Sequence, residues 1–214
     1  MDLEYLEFIE NCFRETYSME LPIEELPTQK HEMNFYKKEI GKIIITSGLI
    51  GACDGFEIDS YIPFDKEFPK GEFSIELSII KFQDDERIAF SRISFSDKIS
   101  HKVELAVKSD SKHENEAFFV DSGTACYFDI DAVTELKLLI NEDEEWYSQI
   151  EEYMESTYIH TRSWYLLKLH NHNIPFFTSG QGDGTYKSFI TFDENNEICQ
   201  LITDFNLFIT DNQL

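Results

Sequence analysis

The sequence contains no uninterrupted apolar stretch of roughly eighteen residues, so it encodes no membrane-spanning helix. It is also poor in positive charge. Lys and Arg number 18 against 42 Asp and Glu, leaving a formal net charge of −24. That imbalance repels phosphate backbones and anionic lipid headgroups, so neither a nucleic acid nor a membrane is an expected partner. Cysteine is sparse: Cys12, Cys53, Cys126 and Cys199 are widely separated and form no C-x-x-C pair. Their apolar and β-branched neighbours suggest reduced thiols in the core rather than disulfides or metal ligands. The start, Met1-Asp2-Leu3-Glu4, is acidic where a secretion signal is basic and then apolar, so a cytoplasmic protein is expected. Neither an internal repeat nor a low-complexity linker is visible. The common catalytic signatures are missing as well. No phosphate-binding loop is present, Ser122 has no G-x-S-x-G elbow around it, and Gly180-x-Gly182-x-Gly184 lacks the following helix of a dinucleotide fingerprint. No cofactor is expected.

What the chain does have is apolar bulk. Hydrophobic residues make up 42% of it and Phe alone contributes 19 of 214 residues, enough for a sizeable core despite the charge. Leu3, Leu6, Ile9, Phe13 and Tyr17 recur at helical spacing, which predicts a helix over residues 2–20 with Asp2 as its cap. Pro22 and Pro27 then bracket a short acidic connector. From Ile40 the period changes to two. Strands are predicted over 42–46 and 50–53, then as a hairpin of 73–82 with 87–96, and over 103–107 and 117–120. Asp131 is placed to cap a helix running through Leu139, and a second helix is predicted over 144–156, with Trp146, Ile150, Tyr153 and Met154 as its apolar stripe. Strands over 164–169, 174–178, 186–192 and 198–209 close the chain. The connections are too short for crossover helices. The expected fold is α+β, mainly antiparallel β as a sandwich or strongly bent sheet, with an N-terminal helix and a helical insertion at about 131–158. Residues 1–30 form the helix and connector, and 31–214 a single β-rich domain.

Three stretches stand out chemically. Asp121-Ser122-Gly123-Thr124 follows a short apolar strand. Ser179-Gly180-Gln181-Gly182-Asp183-Gly184-Thr185-Tyr186 carries three of the nine glycines within five residues. Thr203-Asp204-Phe205 lies near the end. Asp121, Asp183 and Asp204 are therefore expected at one end of a sheet beside the glycine loop, with at least one of Gly180, Gly182 and Gly184 at positive φ. Together with Ser122, Thr124 and Tyr186 they form a candidate site. Its carboxylates could hold a divalent cation or act in general acid–base chemistry, or simply accept hydrogen bonds from turn amides. His170-x-His172 could face one side of a strand, but the local sequence indicates no third ligand, so no metal is expected there.

The blocks Val120–Asp129, Phe177–Tyr186 and Leu201–Phe205, preceded by Pro69–Leu77, resemble in order the bacterial family named domain of unknown function 4241. Gln181 stands where that family usually has Trp, and Ala125 where it usually has Gly. The resemblance implies a shared fold over roughly residues 40–210 and implies no activity. The charge points further. Glu144, Glu145, Glu151, Glu152 and Glu155 lie off the apolar stripe of their helix and have no basic residue among them. A binding protein that neutralises a basic partner through this face, as an immunity protein or antitoxin neutralises a toxin, is the expected function. An enzyme or small-ligand binder using the aspartate motifs is the alternative.

Overall fold

Alternation of apolar and polar residues makes strands because successive side chains leave a strand on opposite faces. In the computed structural model this alternation yields two antiparallel sheets that share one core. The structure describes residues 1–23, 26–58, 62–109, 116–142 and 146–208. In chain order the elements are α1 (Leu3–Cys12), β1 (Tyr17–Ile23), β2 (Leu26–Ile45), β3 (Ile50–Asp54), β4 (Gly71–Phe82), β5 (Asp85–Ser94), β6 (Lys102–Leu105) and β7 (Phe118–Val120). They continue with β8 (Thr124–Asp129), α2 (Ile130–Glu142), α3 (Trp146–Ser156), β9 (Trp164–Lys168), β10 (Asn173–Thr178), β11 (Gly184–Phe192) and β12 (Ile198–Asp204). The larger sheet runs β1-β2-β4-β5-β12-β11-β6, with β7 also pairing β11, and curls as a half-barrel. The smaller runs β3-β8-β10-β9.

Four layers result. Between the sheets, Ile75, Leu77, Ile93 and Leu201 of the larger meet Ala52, Tyr127 and Phe177 of the smaller. Tyr127 reaches across this apolar layer with its polar end. Its hydroxyl lies 2.8 Å from Ser91 Oγ and 2.7 Å from Thr203 Oγ1, so a buried phenol stitches the sheets together without an unpaired group. On the outer face of the larger sheet α1 and its C-cap residue pack Leu6, Ile9 and Phe13 against Phe35, Phe90, Ile202 and Phe208. On the outer face of the smaller, α2 and α3 pack Val133, Leu136, Trp146, Ile150 and Met154 against Cys126, Phe128 and Phe176.

The predicted fold class and helical insertion match this architecture, and the N-terminal helix is present but shorter than its apolar spacing suggests. Asp2 does cap it, its carboxylate accepting the Tyr5 N–H at 2.8 Å. The helix ends at Cys12, and Tyr17 belongs to β1, opposite Phe35 on β2. Phe13 and Tyr17 are four residues apart, as a helix requires, but Tyr17 and Met19 also alternate. Pairing with β2 brings both against the cluster around α1. Pro22 and Pro27 lie in β1 and β2 rather than in a connector, and residues 30 and 31 are consecutive in β2. An edge strand such as β1 tolerates proline because one row of its N–H groups needs no partner. Residue 131 is not the cap of α2; Asp129 accepts the Asp131 N–H at 2.9 Å and does that work instead. The four cysteines are free and buried, with Cys53 Sγ 3.4 Å from Cys126 Sγ across the β3–β8 ladder.

Candidate functional site

Two glycine turns meet at one end of the sandwich. The first, 121–123, joins β7 to β8. The second, 179–183, joins β10 to β11. Ser179 N–H donates to Gly123 O at 3.0 Å, linking the turns directly. Each turn depends on glycine at a specific point. Gly123 and Gly182 have φ of +65° and +86°, where a side chain is strained. Gly180 has ordinary φ, but a Cβ there would lie 2.2 Å from the Ile88 backbone oxygen.

The first turn is organised by a residue outside the sequence motifs. Asp54, buried at the end of β3, accepts the N–H groups of Asp121 and Ser122 at 2.8 Å each, the Ser122 hydroxyl at 2.7 Å, and the Phe56 N–H at 2.8 Å. The signal that could have found it is local: Cys53-Asp54-Gly55 ends a strand as an acidic residue followed by glycine. The second turn is closed by Gly182 O, which accepts the Ser179 hydroxyl at 2.6 Å and the Tyr186 hydroxyl at 2.7 Å.

Ser122, Gly123, Thr124, Ser179, Gly180, Gln181 and Gly182 line a cleft of about 600 Å³, whose opposite wall is Glu151, Met154, Glu155 and Tyr158 of α3 and its C-terminal extension. Arg87 also lines it, but its Nε is held by Asp85 at 2.7 Å. The cleft therefore joins the candidate residues Ser122, Thr124, Gly180 and Gly182 to the candidate partner-binding residues Glu151 and Glu155. Glu152 is exposed on α3, while Glu144 and Glu145 lie outside the described residues.

The aspartates divide. Val120 pairs with Gly184, so Asp121 and Asp183 flank the turns side by side, both exposed. Asp204 stands at the same end of the larger sheet, opposite Lys187, with Asn206 Nδ2 bonded to Thr185 O at 3.0 Å. Its carboxylate, however, is turned towards α1, where it accepts the Tyr5 hydroxyl and the Asn206 N–H at 2.8 Å each. Burial pushes the Asp204 carboxyl above its ordinary range, against the lowering effect of those donors. Tyr186 is buried in the core and touches the site only through Gly182 O. The three aspartates thus share a sheet end but not a cavity.

One group elsewhere has the composition of a metal site. Asp129, Asp131 and His172 offer three ligand atoms within 4.8 Å of one another at the start of α2. Each already has protein partners. Asp129 accepts the Ser47 N–H and hydroxyl, Thr46 Oγ1 lies 2.7 Å from Asp131 and 2.9 Å from His172 Nε2, and His172 Nδ1 lies 2.7 Å from Glu135. The group acts as a polar latch between the β2–β3 loop, α2 and β10.

Among the described residues no helix is long and apolar enough to cross a membrane. No curated protein and no solved structure matches the chain. The profile of one family, described as "Protein of unknown function (DUF4241)", matches residues 43–203. That span includes both glycine turns, Asp54, α3 and β12 up to Thr203, and on this match over most of its length the chain belongs to the DUF4241 family.

Proposed function

We propose that the protein binds a basic partner protein by receiving a cationic side chain in the cleft between the two glycine turns and α3, with an immunity protein or antitoxin as the concrete form. The observation that carries this reading is that Glu151 and Glu155 line the same cleft as the turns. They stand one helical turn apart on a helix with no Lys or Arg, an arrangement that costs the isolated helix a few tenths of a kcal/mol. Arg87, the nearby cation, is engaged by Asp85. A lysine or arginine from a partner would supply the missing counter-charge, and the −24 net charge would speed its approach.

The test is kinetic. Immobilised wild-type protein and a Glu151→Lys/Glu155→Lys variant are offered extracts of cells that produce the protein. A basic protein retained by the first is then measured against both. Association with the variant should be slower by about tenfold or more at low salt, with the difference shrinking as salt rises. Equal rates would remove the cleft from the interface. A small cationic ligand is the second reading, favoured by the cleft's volume, which falls within the range of roughly 300–1,000 Å³ usual for such sites. In that case free amines would stabilise the wild type and not the variant.

A further inference from the structure

His170 and His172 have no third metal ligand in their own stretch of sequence, but the fold brings two candidates to His172. Asp129 ends β8 and Asp131 stands in the first turn of α2, while His172 leads into β10. Asn173 fixes that entry against β2, its Nδ2 donating to Lys42 O at 2.7 Å and its Oδ1 accepting the Ile44 N–H at 3.1 Å. Two segments distant in the chain thus place two carboxylate oxygens and one imidazole nitrogen within 4.8 Å of one another.

We propose that Asp129, Asp131 and His172 form a binding site for one divalent transition-metal ion. The count of protons is the first reason. His172 Nδ1 lies 2.7 Å from Glu135, which also accepts the Asn171 N–H at 2.9 Å. A neutral imidazole that donates to Glu135 leaves Nε2 an acceptor, the arrangement in which a carboxylate orients a metal-ligating histidine. Nε2 and the Asp131 carboxylate then face a single hydroxyl, Thr46 Oγ1, at 2.9 and 2.7 Å. A hydroxyl has one proton to give, so one of the two acceptors goes short, and a cation between them serves both. A second proton on the ring would relieve Thr46 as well. Its two N–H groups would then be spent on Glu135 and Thr46, and neither would reach Asp129.

The balance of charge is the second reason. Among the described residues no Lys or Arg pairs with Asp129, Asp131 or Glu135, and His172 is the one base in contact with them. Where carboxylates converge elsewhere in this fold a base stands between them, Arg92 with Glu10 and Glu76, and Lys98 with Asp193 and Glu197. Asp131, Glu135, His170 and His172 also line a cleft of about 610 Å³, which gives an ion an entry path and its open side room for water. Bonds of about 2.1 Å in a tetrahedral shell put ligand atoms about 3.5 Å apart, so the side chains draw in by about 1 Å on binding. Asp131 and Thr46 are exposed and have room to turn. An imidazole beside two carboxylates suits a borderline ion such as Zn²⁺ better than Ca²⁺ or Mg²⁺, which take oxygen ligands. The site shares no residue with the cleft between the glycine turns, so the two proposals stand or fall separately.

Untagged protein stripped with EDTA and titrated with Zn²⁺ tests this by calorimetry, elemental analysis and thermal melts. One Zn²⁺ per chain should bind and raise the melting midpoint, and a large excess of Mg²⁺ or Ca²⁺ should not displace it. In ¹H–¹⁵N spectra Zn²⁺ should shift the His172 Nε2 resonance. Asp131→Asn removes a charged ligand at an exposed position and keeps an acceptor for Thr46. It should weaken binding by about tenfold or more while the metal-free midpoint holds, and Glu135→Gln should weaken it by about tenfold through the orientation of His172. His170→Ala, in the same cleft but outside the ligand set, should bind as wild type does. The proposal is overturned if no stoichiometric Zn²⁺ binds, if Asp131→Asn binds it as tightly as wild type, or if Mg²⁺ or Ca²⁺ competes on equal terms. Loss of binding in His170→Ala would overturn it too, as would an unmoved His172 signal, since the ion would then lie elsewhere and a ring proton would complete the group.

Discussion

At the scale of single residues, aspartate serves this fold as a fastener of strand ends. Asp54, Asp129, Asp193 and Asp204 each accept at least one backbone N–H just beyond a strand. Such carboxylates stabilise turns because two oxygens can collect donors that the ladder leaves over. Glycine plays the complementary part at the second turn, and its positions are not equivalent. Gly180→Ala drives a Cβ into the Ile88 carbonyl and should destabilise by about 3 kcal/mol, as overpacking does. Gly182→Ala meets nothing within 4 Å and should lose only about 1 kcal/mol to its positive φ. Urea denaturation of both variants measures the order; equal losses would mean that the Gly180 backbone yields.

At the scale of elements, α1 docks through a buried polar contact as well as an apolar one. Tyr5 donates to Asp204, whose carboxyl is held above its ordinary range by burial. A carboxyl with a raised folded-state pKa contributes stability below its unfolded pKa and loses it as pH rises through the folded one. Asp204→Asn keeps an acceptor for the Asn206 N–H and can donate to Tyr5 Oη. Relative to wild type it should therefore gain stability near neutral pH and show no gain in acid. Denaturant midpoints at the two pH values check the sign; a loss at neutral pH would mean the charged form is preferred. The hairpin of β4 and β5 was legible in the sequence because Phe73, Ile75, Leu77 and Ile79 alternate with polar residues. The end of α1 was not, because Tyr17 satisfies both the helical and the strand period. Asp54 and the α3 wall of the cleft were not legible either. Each depends on register between segments far apart in the chain, which no local pattern encodes.

At the scale of the whole molecule, the charge is a burden that the fold carries. Glu76, Glu86 and Asp85 are buried in part, and each carboxyl is nonetheless held below its ordinary range by paired cations or hydroxyl donors. Over the whole chain 42 acids stand against 18 bases, a net charge of −24. Self-repulsion of that size destabilises the compact state and is screened by salt. Raising sodium chloride from low ionic strength to about 0.5 M should lift the melting midpoint, since the Debye length then falls well below 10 Å. A falling midpoint would show that the surface ion pairs outweigh the repulsion. The order of strands in the larger sheet has a further consequence, for the growing chain. Among the described strands β12 comes latest in the chain, yet it lies between β5 and β11, in the middle of the sheet. Until it emerges from the ribosome, the meander from β1 to β5 ends in an open edge at β5, with the apolar faces of Ile88, Phe90 and Ile93 uncovered on their β12 side. Synthesis and folding of this sheet cannot proceed in step: the edge of β5 stays open until a strand more than a hundred residues further along the chain pairs with it.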